Sequence, residues 1–141
     1  METGHFTLDI VTLKKVAFSE EITSVNAPGT EGYFGILANH TPFVSSLKPG
    51  VIKVTRPNGE ASTYSTSGGF LMTDGKKVII LADAVERPEE IDVRRAQAAK
   101  ERAEKRLAER TPEIDVDRAR LALLRAINRL KVVEFVKQKQ I

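Results

Sequence analysis

The sequence has no cysteine, only two histidines and no long apolar run, and each shortage removes a class of function. Without thiols there is no disulfide, no cysteine nucleophile and no thiolate metal site. His5 and His40 are too few for a histidine metal cluster, so no metal site is expected. The longest unbroken apolar stretch, Val78 to Ala82, is five residues, against about 20 for a membrane span. No direct membrane insertion is expected, and no signal or transit segment is visible. Glycine is missing from the second part of the chain: all nine glycines and five of the six prolines precede Glu89.

What is present is a chain of 141 residues, 41% apolar and 29% charged, with a net charge of +3. That length supports one core of ordinary size without covalent staples. The charge is uneven, because residues 1–88 carry 8 basic and 9 acidic side chains whereas 89–141 carry 14 and 10. Composition changes at Pro88, and two domains, 1–88 and 89–141, are expected.

In the first domain Phe6, Leu8 and Ile10 alternate with Thr7, Asp9 and Val11, while Val51 to Thr55 and Val78 to Leu81 are β-branched runs. Pro57-Asn58-Gly59 and Asp74-Gly75 separate such runs with hairpin chemistry. An antiparallel β-sandwich is expected. In the second domain the period becomes helical. Asp92 is placed to cap a helix running to about Arg110 with Ala96, Ala99, Ala103 and Leu107 on one face, and Thr111-Pro112 to stop it. A second helix starts near Asp115 and keeps Val116, Ala119, Leu123, Ala126, Leu130 and Val133 at three-four spacing. The fold class is therefore α+β, a sandwich followed by an antiparallel helical hairpin.

Catalytic chemistry has little to work with. Gly69 to Lys76 imitates a phosphate loop, but five residues separate the glycines where four are required, and Lys77 replaces the magnesium-holding Ser or Thr. Glu20-Glu21 and Glu89-Glu90 are adjacent, solvated carboxylates, and His40 precedes Thr41-Pro42 as a loop anchor or interface contact. No catalytic residue is expected.

The anomaly is the arginine content of the hairpin. Arg118, Arg120, Arg125, Arg129 and Lys131 occur with no acid between Arg118 and Val133. Arg125 and Arg129 are four apart and repel unless an anion separates them. In an antiparallel hairpin turning near residue 112, residues whose numbers add to about 225 lie level, so Arg95 meets the height of Arg129 and Arg102 that of Arg125. Four guanidiniums then stand ready for phosphate oxygens. Pattern alone leaves three readings open: a solvated basic face, a protein or nucleic-acid partner, or a bound phosphate compound.

Specific stretches add a resemblance. Gly32-Tyr33-Phe34-Gly35-Ile36-Leu37-Ala38-Asn39-His40-Thr41-Pro42, Ser67-Gly68-Gly69-Phe70 followed by Val78-Ile79-Ile80-Leu81-Ala82, and Ile91-Asp92-Val93-Arg94-Arg95-Ala96 keep the order and spacing of a known family. End to end the chain resembles the epsilon-subunit family of bacterial F-type ATP synthases, and I-D-x-x-R-A marks the family's ATP-binding members. The resemblance implies a non-catalytic rotor subunit that couples the gamma subunit to the c ring, peripheral on the cytoplasmic side of the bacterial inner membrane. It implies gamma contacts at Thr12, His40 and Ser45 and a c-ring contact at Gly32 and Tyr33, where many members carry an acid instead of tyrosine. It also implies a hairpin that inhibits ATP hydrolysis when extended toward the alpha/beta catalytic head and is held down by ATP as a regulatory ligand, with no cofactor required. Arg95, Arg102, Arg125 and Arg129 are then expected on the phosphates, and Glu86, Ile91 and Asp92 on the adenine. A nucleic-acid partner is not expected, since the hairpin's one aromatic, Phe135, offers no stacking platform. A purely structural rotor subunit, blind to ATP, is the alternative.

Overall fold

The computed structural model describes residues 4–109 and 112–139, so the expected helix stop at Thr111-Pro112 lies partly outside the described residues. Ten strands come first: β1 (Phe6–Val11), β2 (Val16–Ile22), β3 (Ser24–Gly29), β4 (Gly32–Leu37), β5 (Phe43–Leu47), β6 (Gly50–Thr55), β7 (Ala61–Thr66), β8 (Gly69–Thr73), β9 (Lys77–Ala82) and β10 (Val85–Glu86). A 3₁₀ turn at Pro88–Glu90 leads to α1 (Val93–Glu109) and α2 (Val116–Lys139).

The strands form one hydrogen-bonded path, β10-β7-β6-β3-β5-β8-β9-β1-β2, with β4 attached to β3. The alternation read in Phe6–Val11 appears as buried Phe6, Leu8 and Ile10. These join Ile22, Ile36, Ile52, Leu71 and Ile80 in the core between the layers. One pairing departs from the all-antiparallel expectation, because β1 runs parallel to β9, with Leu8 opposite Val78 and Ile10 opposite Ile80. Those strands are remote in sequence, so no hairpin dictates their direction.

The two ends of the path meet without a ladder among the described residues. Phe18 of β2 lies edge-on to Tyr64 of β7 at 5.8 Å, and Arg56 Nε lies 3.0 Å from Glu20 Oε1. Near this seam β2 carries a bulge: the register with β1 slips between Ile10 and Val11, making Ala17 the extra residue.

Both helix starts follow side-chain caps. Asp92 Oδ1 accepts from the Arg95 N–H at 3.1 Å, and Asp115 Oδ1 from the Arg118 N–H at 3.0 Å. The alanine stripe of α1 faces α2, with Ala96 and Ala103 buried, and α2 rests on β6 and β7. The layer under α2 is polar. Thr63 and Ser65 of β7 are buried there, and Asn128 and Val132 of α2 are 2% and 0% exposed. The three-four pattern places neither Asn128 nor Val132 inside, because it follows only the face of α2 that meets α1.

Candidate functional site

Where β10 gives way to the hairpin, a cleft of about 270 Å³ is lined by Glu86, Ile91 and Asp92, by Arg95 and Ala96 of α1, and by Arg129 of α2, with Glu90 and Ala99 completing the wall. Sandwich, linker and both helices each contribute. Five of the seven residues expected at an ATP site, Glu86, Ile91, Asp92, Arg95 and Arg129, thus share one cavity.

Chain geometry accounts for the convergence. Asp92 caps α1, which sets Arg95 in the first turn of the helix. Arg129 is brought level with Arg95 by the antiparallel hairpin and lies 2.6 Å through Nε from Glu86 Oε1. Glu90 is occupied elsewhere. It accepts the Arg87 backbone N–H at 3.0 Å and lies 3.5 Å from Lys15 Nζ. That N–H bond, aided by Lys15, holds the Glu90 carboxyl below the usual carboxylate range. The cleft therefore offers two guanidiniums, one of them tied to a carboxylate, together with a capping carboxylate and an apolar wall at Ile91, Ala96 and Ala99.

The expected cluster of four arginines is divided. Arg125 lines a separate cavity of about 620 Å³ near the helix turn, with Arg106, Arg118, Glu113 and Asp115, and Arg102 is exposed and lines neither cavity. Level rows on two helices fix height, whereas the direction of each long side chain depends on rotamer and solvent. Arg106 was missed, although the same level rule sets it beside Ala119 and so next to Arg118.

The residues expected at partner interfaces lie on different parts of the sandwich. Gly32, Tyr33 and Ser45 border one shallow cleft together with Phe43 and Val44. The Tyr33 hydroxyl accepts the Val51 N–H at 2.9 Å, so this side chain also ties β4 to β6. Ser45 is half-buried while Val44 beside it is 68% exposed. His40 Nδ1 contacts the Thr41 carbonyl at 2.7 Å, and its ring lies edge-on to Phe43 at 5.5 Å. Thr12 closes the β1–β2 turn, its hydroxyl oxygen accepting the Lys14 N–H at 3.2 Å.

A feature missed in the sequence is an exposed apolar row across four neighbouring strands. Phe70 of β8 stands opposite Leu81 of β9, Leu81 opposite Val11 of β1, and Val11 opposite Val16 of β2. Phe70, Leu81 and Val16 are 54%, 43% and 62% exposed. Phe, Leu and Val of this kind occur in any strand, so only register reveals the row.

Among the described residues no helix is long and apolar enough to cross a membrane, and no group of His, Asp and Glu is placed to hold a metal ion.

Comparison with known proteins finds two family models that match successive stretches of the chain. Residues 5–88 match the model for the ATP synthase delta/epsilon chain β-sandwich domain, and residues 89–134 match that for its long α-helix domain. The ATP synthase epsilon chain of Desulforamulus reducens is 50% identical over 127 residues, covering 90% of this chain and 96% of that one. That of Carboxydothermus hydrogenoformans is 52% identical over 101 residues, covering 72% and 75%. In fold, a chain of the Euglena gracilis mitochondrial ATP synthase OSCP/F1/c-ring structure superposes with a TM-score of 0.70 at 23% identity, over 98% of this chain and 82% of that one. A chain of the Tetrahymena thermophila mitochondrial ATP synthase central stalk and c ring gives 0.63 at 15% identity, over 91% and 96%. With the sandwich and the hairpin both matched, and a relative half identical over nearly its whole length, the chain belongs to the ATP synthase delta/epsilon-chain family.

Proposed function

We propose that this non-catalytic subunit sits in the central stalk of a proton-translocating F-type ATP synthase, joins gamma to the c ring, and carries a hairpin whose docking responds to ATP. The observation that carries the ATP part is the cleft shared by Glu86, Asp92, Arg95 and Arg129. It lies where closing the hairpin sets Arg95 and Arg129 beside Glu86, Asp92 and Ile91, so guanidiniums for a phosphate and polar and apolar groups for a base stand together. At about 270 Å³ the cleft is small for a whole nucleotide. The base fills it beside Glu86, Ile91 and Asp92, and the phosphates leave past Arg95 and Arg129 toward Arg102 and Arg125.

A ligand that binds only the docked hairpin stabilises it by RT ln(1 + [L]/Kd), about 2.7 kcal/mol at a hundredfold excess. That magnitude tips a balanced two-state element. The polar layer beneath α2 supports such balance. Thr63, Ser65 and Asn128 are buried in it beside Val132, so part of the surface that undocking returns to water is polar and its exposure costs little. Released, the basic hairpin has an acidic surface in the alpha/beta head as its partner and inhibits hydrolysis there.

The apolar row of Phe70, Leu81, Val11 and Val16 supports association with gamma. Tyr33 and Gly32, at the β3–β4 turn, supply the c-ring contact through apolar area and a hydroxyl rather than a carboxylate. Because both partners belong to a membrane complex, the subunit is peripheral on the cytoplasmic side of the bacterial inner membrane.

Calorimetric titration of ATP into the full chain tests this reading. Saturable binding, weakened at least tenfold in Arg95→Ala and Arg129→Ala, is expected; equal affinity in both variants overturns it. One observation favours the alternative of a purely structural subunit: the Glu86–Arg129 ion pair joins the sandwich to α2 through this chain's own side chains. On that alternative ATP leaves hairpin docking unchanged.

A further inference from the structure

The seam between β2 and β7 is also the site of a larger cavity, of about 580 Å³. Phe18, Thr63 and Tyr64 of the sandwich line one side, Phe135 and Val136 of α2 another, and Arg87, Pro88 and Glu89 of the linker a third. The linker is two-sided, since Glu86, Glu90, Ile91 and Asp92 border the smaller cleft with Arg129 instead. No residue lines both cavities.

We propose that this seam cavity is a second ligand site, which takes a small aromatic anion with its flat body among Phe18, Pro88 and Phe135 and its charged group on Arg87. Its volume falls within the range of sites for small organic molecules, roughly 300–1,000 Å³, and its lining has the usual mixture of aromatic wall and few polar groups.

The two arginines in the wall differ in availability. Arg56 is committed: Nε and Nη2 lie 3.0 and 3.4 Å from the two Glu20 oxygens, Nη1 lies 2.6 Å from the Ser62 hydroxyl, and the guanidinium stands 5.5 Å over the Phe18 ring. Arg87 donates through Nη2 to the carbonyl of the bulge residue Ala17 at 3.1 Å. It forms no ion pair among the described residues. A guanidinium has five N–H donors, so a carboxylate or sulfonate finds a fork there.

Two hydroxyls complete the polar set. Thr63 is 4% exposed, and its Oγ1 is buried with no hydrogen-bond partner among the described residues. An unmet hydroxyl in such a place carries a desolvation cost that a ligand acceptor relieves. Burial raises the Tyr64 pKa while Arg56 and Arg87 oppose it, so the phenol stays a neutral donor near both guanidiniums. Glu89 on the rim works against an anion. Because sandwich and α2 both wall the cavity, an occupant bridges them and favours the docked hairpin.

The test uses 8-anilinonaphthalene-1-sulfonate on the full chain, followed by dye fluorescence and by amide NMR shifts. Saturable binding is expected, with shifts grouped at Ala17, Phe18, Thr63 and Phe135. Arg87→Gln should weaken it at least tenfold and Glu89→Gln tighten it severalfold. Arg95→Ala, which probes the nucleotide cleft, should leave dye affinity unchanged, so failure of either site is recognised separately. Shifts grouped instead on Phe70, Leu81 and Val16, or unaltered affinity in Arg87→Gln, overturn the proposal.

Discussion

The Glu86 carboxylate and the Arg129 guanidinium lie 2.6 Å apart and form the ion pair that joins the last strand of the sandwich to the second helix. The side chains are 33% and 37% exposed, so solvent screens the pair and its coupling should be about 0.5–1 kcal/mol. A double-mutant cycle of Glu86→Gln and Arg129→Ala, read by denaturation of the helical signal, measures that coupling. A value near zero removes the pair as a latch.

For nucleotide affinity the positions rank the arginines. Arg95→Ala and Arg129→Ala alter the cleft itself and should each cost at least tenfold in ATP affinity, about 1.4 kcal/mol. Arg102→Ala and Arg125→Ala act only on phosphates reaching past the cleft and should cost less. Calorimetry on the four variants checks the order, and raising the salt should compress all four differences.

Asn128 is 2% exposed, and its Nδ2 has no hydrogen-bond partner among the described residues. Replacing a buried, unmet amide by an apolar side chain of similar volume removes a desolvation cost. Asn128→Leu should strengthen hairpin docking by about 1 kcal/mol, seen as slower amide exchange along α2. In the assembled enzyme the same change should reduce inhibition by the hairpin.

Acid should weaken the sandwich through Asp9. Its carboxyl is held below the ordinary carboxylate range first by Lys77, 2.8 Å away, and then by the Ser19 hydroxyl at 2.7 Å. A group whose folded pKa is depressed contributes stability that is complete above its unfolded value, about pH 4. That contribution is lost as pH falls through the lower folded value. Asp9→Asn should flatten the acid limb of the stability curve by no more than about 1 kcal/mol, because Lys77 is 47% exposed. Glu90, held down by the Arg87 N–H, should act in the same direction at the linker.

The exposed apolar row gives a test of partner binding apart from stability. Phe70→Glu and Leu81→Glu place charge where the side chains are 54% and 43% exposed, so melting of the isolated chain should change little. Affinity for gamma in a pull-down or titration should fall at least tenfold. Unaltered affinity moves the gamma contact to another face.

The site was legible in part, and the reason lies in what each signal measures. Asp92, Arg95 and Arg129 could be placed together because capping, helical rise and an antiparallel turn are local rules that add up along the chain. Arg102 and Arg125 could not be placed, since a long exposed side chain chooses its direction by neighbours and solvent. Glu86 was expected from resemblance alone; its contact with Arg129 spans 43 residues of sequence, beyond any periodic pattern.

By itself, the sequence determined where the strand-forming part of the chain gives way to helices, that one face of the first helix is small, and how the charge divides at Pro88, because these depend on local propensity and period. Tertiary structure alone decided that β1 lies parallel to β9, that Phe18 closes the seam against Tyr64, and that Thr63 and Asn128 are buried between sandwich and hairpin. Those outcomes depend on which distant surfaces meet, and the energy of that meeting belongs to pairs of residues that no stretch of the chain contains together.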